Sequence, residues 1–205
     1  MPQPFDQTPV IPVVTIARVE DAVPLAEALL EGGLGTIEVT LRTPHSLAAI
    51  EAIAKALPVA MIGAGTVLRS ADITAAKNAG AKFLVSPGLT PDLAAAGIAS
   101  GLPYLPGAVT SSEILAARAL NFSFLKFFPA RDAGGPALLR SYAPVFQGIM
   151  FCPTGGINEE NVHEYLSLPN VPVVGGTWVA TKEAIESGDW AGITARAKRA
   201  AALRH

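Results

Sequence analysis

Lys126 stands inside the run Asn121-Phe122-Ser123-Phe124-Leu125-Lys126-Phe127-Phe128-Pro129, an ammonium in the middle of a strand-like aromatic segment. Burial disfavours the charged form of an amine, so a lysine placed there is costly unless something uses it. The neutral amine is a nucleophile that forms a Schiff base with a ketone. A strand lysine whose head reaches water is the plain alternative. A second run, Thr36-Ile37-Glu38-Val39-Thr40-Leu41-Arg42, carries different chemistry on its two faces. Ile37, Val39 and Leu41 suit packing under helices, whereas Thr36, Glu38, Thr40 and Arg42 would face inward. Side chains alternate along a strand, so Glu38 and Arg42 share a face. A glutamate near Lys126 could shuttle protons, and an arginine could grip a carboxylate through two hydrogen bonds. An internal ion pair without chemistry is the alternative.

Small residues gather at other strand ends. Gly63-Ala64-Gly65-Thr66 would let backbone approach a ligand and place the Thr66 hydroxyl at the mouth of the site. Pro153-Thr154-Gly155-Gly156 and Gly175-Gly176-Thr177 follow the seventh and eighth predicted strands, ahead of a short helix near 180–185. Backbone N–H groups and a helix N-terminus hold phosphate in such places, although tight turns also use glycine with no ligand. Cys152 lies in an apolar strand without a histidine partner and reads as a small core residue. His45, His163 and His205 are scattered, and no metal site is expected. Trp178 and Trp190 read as packing, and Lys55, Lys77 and Lys82 as solvated charges.

The elements that must position these groups alternate along the whole chain. Strands are expected near 10–16, 36–41, 60–65, 83–86, 104–106, 124–128, 150–153 and 173–175. Thr43-Pro44 and Thr90-Pro91 each offer an N-cap followed by proline, and Thr110 with Glu113 has capping-box spacing. Gly32 and Gly80 fall where helices should stop. A helix over 43–57 would present Leu47, Ile50, Ile53, Ala54 and Leu57 on one apolar face. Strand and helix alternating at roughly 25 residues indicate parallel strands with crossover helices. Eight such units predict an α/β fold of the (β/α)8 TIM barrel type, as one domain over 1–205. An open doubly wound sheet is the competitor, but the chain lacks a dinucleotide fingerprint.

Composition narrows the function. The chain has 205 residues, half of them hydrophobic, and a formal net charge of -2. It offers no basic footprint for nucleic acid and no cationic cluster for a membrane surface. The single cysteine fits a reducing compartment. Met1 to Asp6 lacks the features of a signal segment, and charges, Gly and Pro interrupt every apolar stretch. A soluble, cytoplasmic protein is expected.

Taken in order, Glu38-Val39-Thr40-Leu41-Arg42-Thr43, Gly63-Ala64-Gly65-Thr66-Val67, Ser86-Pro87-Gly88, Lys126-Phe127-Phe128-Pro129-Ala130, Phe151-Cys152-Pro153-Thr154-Gly155-Gly156-Ile157 and Gly175-Gly176-Thr177-Trp178 resemble the 2-keto-3-deoxy-6-phosphogluconate and 4-hydroxy-2-oxoglutarate aldolases. The resemblance runs from Val10 to the final helix. It implies a trimeric (β/α)8 barrel that uses a lysine imine and no cofactor. The Schiff-base lysine falls on Lys126, the proton-transfer glutamate on Glu38 and the carboxylate-binding arginine on Arg42. Thr66 and Thr154 match threonines lining the site, Pro87 and Phe128 its wall, and Gly155, Gly156, Gly176 and Thr177 the phosphate-binding backbone. The implied reaction is reversible cleavage of 2-keto-3-deoxy-6-phosphogluconate to pyruvate and glyceraldehyde 3-phosphate, part of the Entner–Doudoroff pathway. Preference for 4-hydroxy-2-oxoglutarate or the phosphogalactonate analogue is the close alternative. An acid–base isomerase and a silent sugar-phosphate binder are the more distant ones. Four positions depart from the family's habit: Thr177 replaces a serine, Arg131 stands where the segment often has glutamate, and Ala108-Val109 replaces Ile-Ser. They leave the chemistry intact and bear on substrate preference.

Overall fold

The computed structural model describes Phe5 and residues 8–203. His205 and most of the N-terminal segment read above for a signal lie outside the described residues. Among the described residues the strands are β1 Val10–Val14, β2 Thr36–Thr40, β3 Met61–Gly65, β4 Phe83–Val85, β5 Tyr104–Leu105, β6 Phe124–Phe127, β7 Met150–Pro153 and β8 Val174–Gly176. The helices are α1 Ala22–Glu31, α2 Ser46–Ala56, α3 Ser70–Asn78, α4 Pro91–Ser100, α5 Ser111–Ala119, α6 Gly135–Val145, α7 Val162–Leu166, α8 Lys182–Glu186 and α9 Trp190–Ala201. Every strand pair is parallel, as crossover helices require. The ladders form a six-stranded curled sheet, β5-β4-β3-β2-β1-β8, and a separate pair, β6-β7. The expected continuous ring of eight is therefore six plus two, linked by single bridges at Gly107–Lys126 and Thr154–Gly175. None of the helices of the described residues is long and apolar enough to cross a membrane.

Strand parity divides the interior into two layers. Ile37, Val39, Leu125 and Phe127 pack outward under the helices, in the main core. Phe83, Val85, Leu105, Phe124, Cys152, Ile11 and Val173 form a second cluster on the inner face. Phe5 belongs to this inner layer, 1% exposed, with its ring edge-on to Phe83 at 5.4 Å and Phe124 at 5.6 Å. It forms a floor beneath the chemistry described below.

Several helix signals act as read. Thr90 caps α4 by accepting from Leu93 N–H at 3.3 Å with Pro91 next, and Thr110 with Glu113 forms the capping box of α5. Gly32 ends α1, and Gly80 (φ +90) follows α3 in the left-handed region glycine favours. Others differ. The helix expected over 43–57 starts at Ser46, because the Thr43 hydroxyl donates to Ile16 O at 2.7 Å instead of capping. Leu47 is exposed, so the buried face of α2 centres on Ala49, Ile50 and Ile53. Lys82 is half-buried and donates to Pro58 O and Ala60 O at 2.6 and 2.8 Å, so it is a carbonyl cap more than a solvated charge. The last strand ends one residue later than expected, so Gly175 and Gly176 lie inside it. The single short helix near 180–185 is a 3-10 turn at Trp178–Ala180 followed by α8. Trp178 and Trp190 pack against the main core.

Candidate active site

Glu38 and Lys126, 88 residues apart in sequence, meet on the inner face. Lys126 Nζ donates to Glu38 Oε1 at 3.0 Å and approaches Oε2 at 3.4 Å. The residues are 4% and 3% exposed, so the bond is shielded from bulk water. The main chain of Lys126 is fixed on both sides. Its N–H donates to Pro106 O at 2.8 Å, its carbonyl accepts from Ala108 N–H at 2.9 Å, and it pairs in register with Cys152 on β7. The ring of Phe128 lies 5.4 Å from Nζ, a cation–π distance when the amine is charged.

Room for Glu38 comes from the neighbouring strand. Glu38 pairs in register with Gly63, and a Cβ on Gly65 would collide with the Glu38 carboxylate. A Cβ on Gly63 would meet the ring of Phe83. The glycines expected to admit a ligand thus first make room for side chains of the protein.

At the carboxyl end of β2, exposed Arg42 donates through Nε to Thr66 Oγ1 at 3.0 Å. Among the described residues only its Nε is engaged, which leaves the terminal nitrogens for a ligand. Thr66 holds φ +58, a left-handed conformation that is rare for a β-branched residue. Thr40, one step inward, donates to Val14 O at 3.1 Å and shares a 2.7 Å hydroxyl contact with Thr15. Pro87 is half-buried beyond β4. Behind it, buried Ser86 donates to Gly88 O at 2.6 Å and shares a 2.7 Å contact with the Tyr104 hydroxyl. Burial raises the Tyr104 phenol above its ordinary value, against the pull of the Ser86 bond. Nothing in the sequence marks Ser86 and Tyr104 as the support behind Pro87 except a serine directly before Pro-Gly at a strand end.

The glycine turns lie beside this site. Thr154 is 5% exposed, bridges to Gly175, and its carbonyl accepts from Ala130 N–H at 2.8 Å. Gly155 (φ +103) and Gly156 (φ +73) both need the left-handed region, and Gly155 packs against Phe128 and Pro129. Gly176 lies under the ring of Trp178, where a Cβ would clash. Exposed Thr177 borders a hollow of about 300 Å³ shared with Val13, Thr15, Thr181 and Lys182. Cys152 is buried beside the lysine, and burial pushes its thiol up to about 12. That fits a core residue and not a nucleophile.

Fold and site together define an α/β protein of parallel strands that holds a buried amine against a carboxylate, close to strand ends rich in glycine and threonine. A family model described as KDPG and KHG aldolase matches residues 3–196, and the chain belongs to that family. The 2-dehydro-3-deoxy-phosphogluconate aldolase of Pseudoalteromonas atlantica is 47% identical over 97% of this chain and 92% of its own. A Legionella pneumophila KDPG aldolase, solved with pyruvate captured at low pH as a covalent carbinolamine, superposes with a TM-score of 0.95. It is 44% identical and covers 97% of this chain and 96% of its own. A Zymomonas mobilis 2-keto-3-deoxy-6-phosphogluconate aldolase, solved with 3-phosphoglycerate, has a TM-score of 0.90 and 45% identity. That match covers 97% of this chain and 94% of its own.

Proposed function

We infer that this chain is a class I aldolase that cleaves 2-dehydro-3-deoxy-6-phosphogluconate reversibly to pyruvate and D-glyceraldehyde 3-phosphate. The observation that carries the reading is the shielded contact between Lys126 Nζ and Glu38 at 3.0 Å. Lys126 attacks the C2 ketone as the free amine; the carboxylate beside it is placed to take the ammonium proton first. Glu38 returns that proton to the carbinolamine hydroxyl, which leaves as water to give an iminium and restores the carboxylate. Glu38, through a bound water, removes the C4 hydroxyl proton. The electrons of the C3–C4 bond move into the iminium, glyceraldehyde 3-phosphate leaves, and an enamine of pyruvate remains. Protonation at C3 and hydrolysis of the imine release pyruvate and restore the amine. Splitting one step into several covalent ones lowers each barrier, and proton transfer adds about 10²–10⁴-fold.

Arg42 grips the substrate carboxylate with its free nitrogens, held by Thr66, and so orients the ketone. Thr154, Pro87 and Phe128 wall the site, and the backbone of Gly155, Gly156, Gly176 and Thr177 cradles the phosphate. The reading calls for no metal and no cofactor. 4-Hydroxy-2-oxoglutarate is a second substrate for the same chemistry, in keeping with the family's description.

We read residues 1–205 as one domain and the fold as a closed (β/α)8 barrel. The bridges Gly107–Lys126 and Thr154–Gly175, where the two sheets meet, support closure. A cytoplasmic homotrimer is part of the same proposal. Exposed Ile98 and Leu120, which line an apolar groove between α4 and α5, support association, and sedimentation velocity tests it.

Borohydride reduction in the presence of pyruvate should add the mass of a reduced pyruvate adduct to a peptide containing Lys126. An adduct that persists in Lys126→Ala, or none in the unsubstituted protein, overturns the assignment.

A further inference from the structure

The cradle just described is backbone, and two cations border it. Lys182, in the hollow beside Thr177, already pairs with Glu186 at 3.7 Å. Arg131 has no such partner among the described residues, although Glu160 and Glu164 line the same crevice of about 470 Å³. Its N–H donates to Gly155 O at 3.1 Å, so the segment after β6 runs alongside the Gly155–Gly156 turn. Its stem then lies across Gly156. A Cβ built there would come within 2.6 Å of Arg131 Cβ, 2.9 Å of Cδ and 3.3 Å of Cγ. Gly156 is therefore the surface on which this side chain rests. The guanidinium, one atom beyond Cδ, extends from a stem that lies against the Gly155–Gly156 turn. A planar, permanently charged fork is the group best shaped for phosphate oxygens.

We propose that Arg131 is a specificity-determining residue that binds the phosphate end of the substrate over the Gly155–Gly156 turn. The proposal rests on the reading of that turn as the phosphate cradle. It gives this chain a charged contact in addition to the backbone donors, and so a stronger preference for phosphorylated over unphosphorylated aldehydes. Neither Lys126 nor Glu38 is touched, so imine formation with pyruvate is independent of it.

The test runs the aldol in the synthetic direction, with pyruvate and either D-glyceraldehyde 3-phosphate or D-glyceraldehyde. Arg131→Ala should raise KM for the phosphorylated aldehyde by about tenfold, the loss of one exposed charge-assisted contact, and Arg131→Lys should recover part of it. Turnover of unphosphorylated glyceraldehyde and borohydride trapping of pyruvate on Lys126 should stay unchanged. An unaltered KM for glyceraldehyde 3-phosphate overturns the proposal, as does an equal loss for both aldehydes. Failure to trap pyruvate in the unsubstituted protein is a different result, which overturns the aldolase reading itself.

Discussion

Glu38 reaches Lys126 because residue 65 has no side chain to stand in its way. Gly65→Ala would drive a methyl into the carboxylate and turn it from the amine. We expect a drop in kcat of about a hundredfold or more, within the range of lost proton transfer, with circular dichroism unchanged. Glu38→Gln keeps the shape and removes the proposed base, so it should lose turnover to a similar extent in the same assay. Thr66 gives a prediction with two signs. Its left-handed φ of +58 stores strain of about 1–3 kcal/mol that glycine relieves, while its hydroxyl holds Arg42. Thr66→Gly should therefore leave the urea midpoint unchanged or higher and raise KM for pyruvate in the synthetic reaction. A lower midpoint with unchanged KM would remove Thr66 from the site.

Among the elements, α5 offers the clearest energetic case. Backbone N–H groups of Thr110 and Val109 hold the Glu113 carboxyl below its ordinary value, while partial burial opposes them. The folded-state value is depressed, so this support is present above the unfolded value of about 4 and fades as acid protonates the group. Thr110→Ala should cost about 1 kcal/mol in chemical denaturation at neutral pH. Local signals of this kind were legible in the sequence: Thr90-Pro91, Thr110 with Glu113, and Gly80 all act as read. Thr43-Pro44 carries the same signal, yet its hydroxyl is claimed by Ile16 O from another part of the chain. Lys82 and Leu47 depart from their local signals for the same reason, since neighbours distant in sequence decide their surroundings. Inward parity marked Glu38 and Lys126 as candidates, but nothing local says that β2 and β6 turn these two side chains towards each other. The family resemblance supplied that link before the 3.0 Å contact did.

For the whole molecule, Cys152 ties stability to alkaline pH. Its folded value, pushed up to about 12, lies above the 9.0 of an unperturbed thiol, so the unfolded chain ionises first. The contribution is complete below about pH 9 and is lost as the pH climbs towards 12, by about 1 kcal/mol per unit in this window. Urea midpoints at pH 8 and pH 10 should diverge more for the native protein than for Cys152→Ala, a comparison that cancels other groups. The floor made by Phe5 against Phe83 and Phe124 has a kinetic consequence. With the bottom of the inner layer filled, substrate and both products must use one doorway at the carboxyl ends of the strands. In the chemistry proposed for this chain the keto-acid half is tethered to Lys126 as the inner passenger, and the aldehyde half stands nearer the exit. Departure then has a fixed order, aldehyde before pyruvate. Pyruvate should inhibit cleavage competitively, because it meets the empty enzyme, and glyceraldehyde 3-phosphate noncompetitively, because it meets the enzyme still carrying pyruvate.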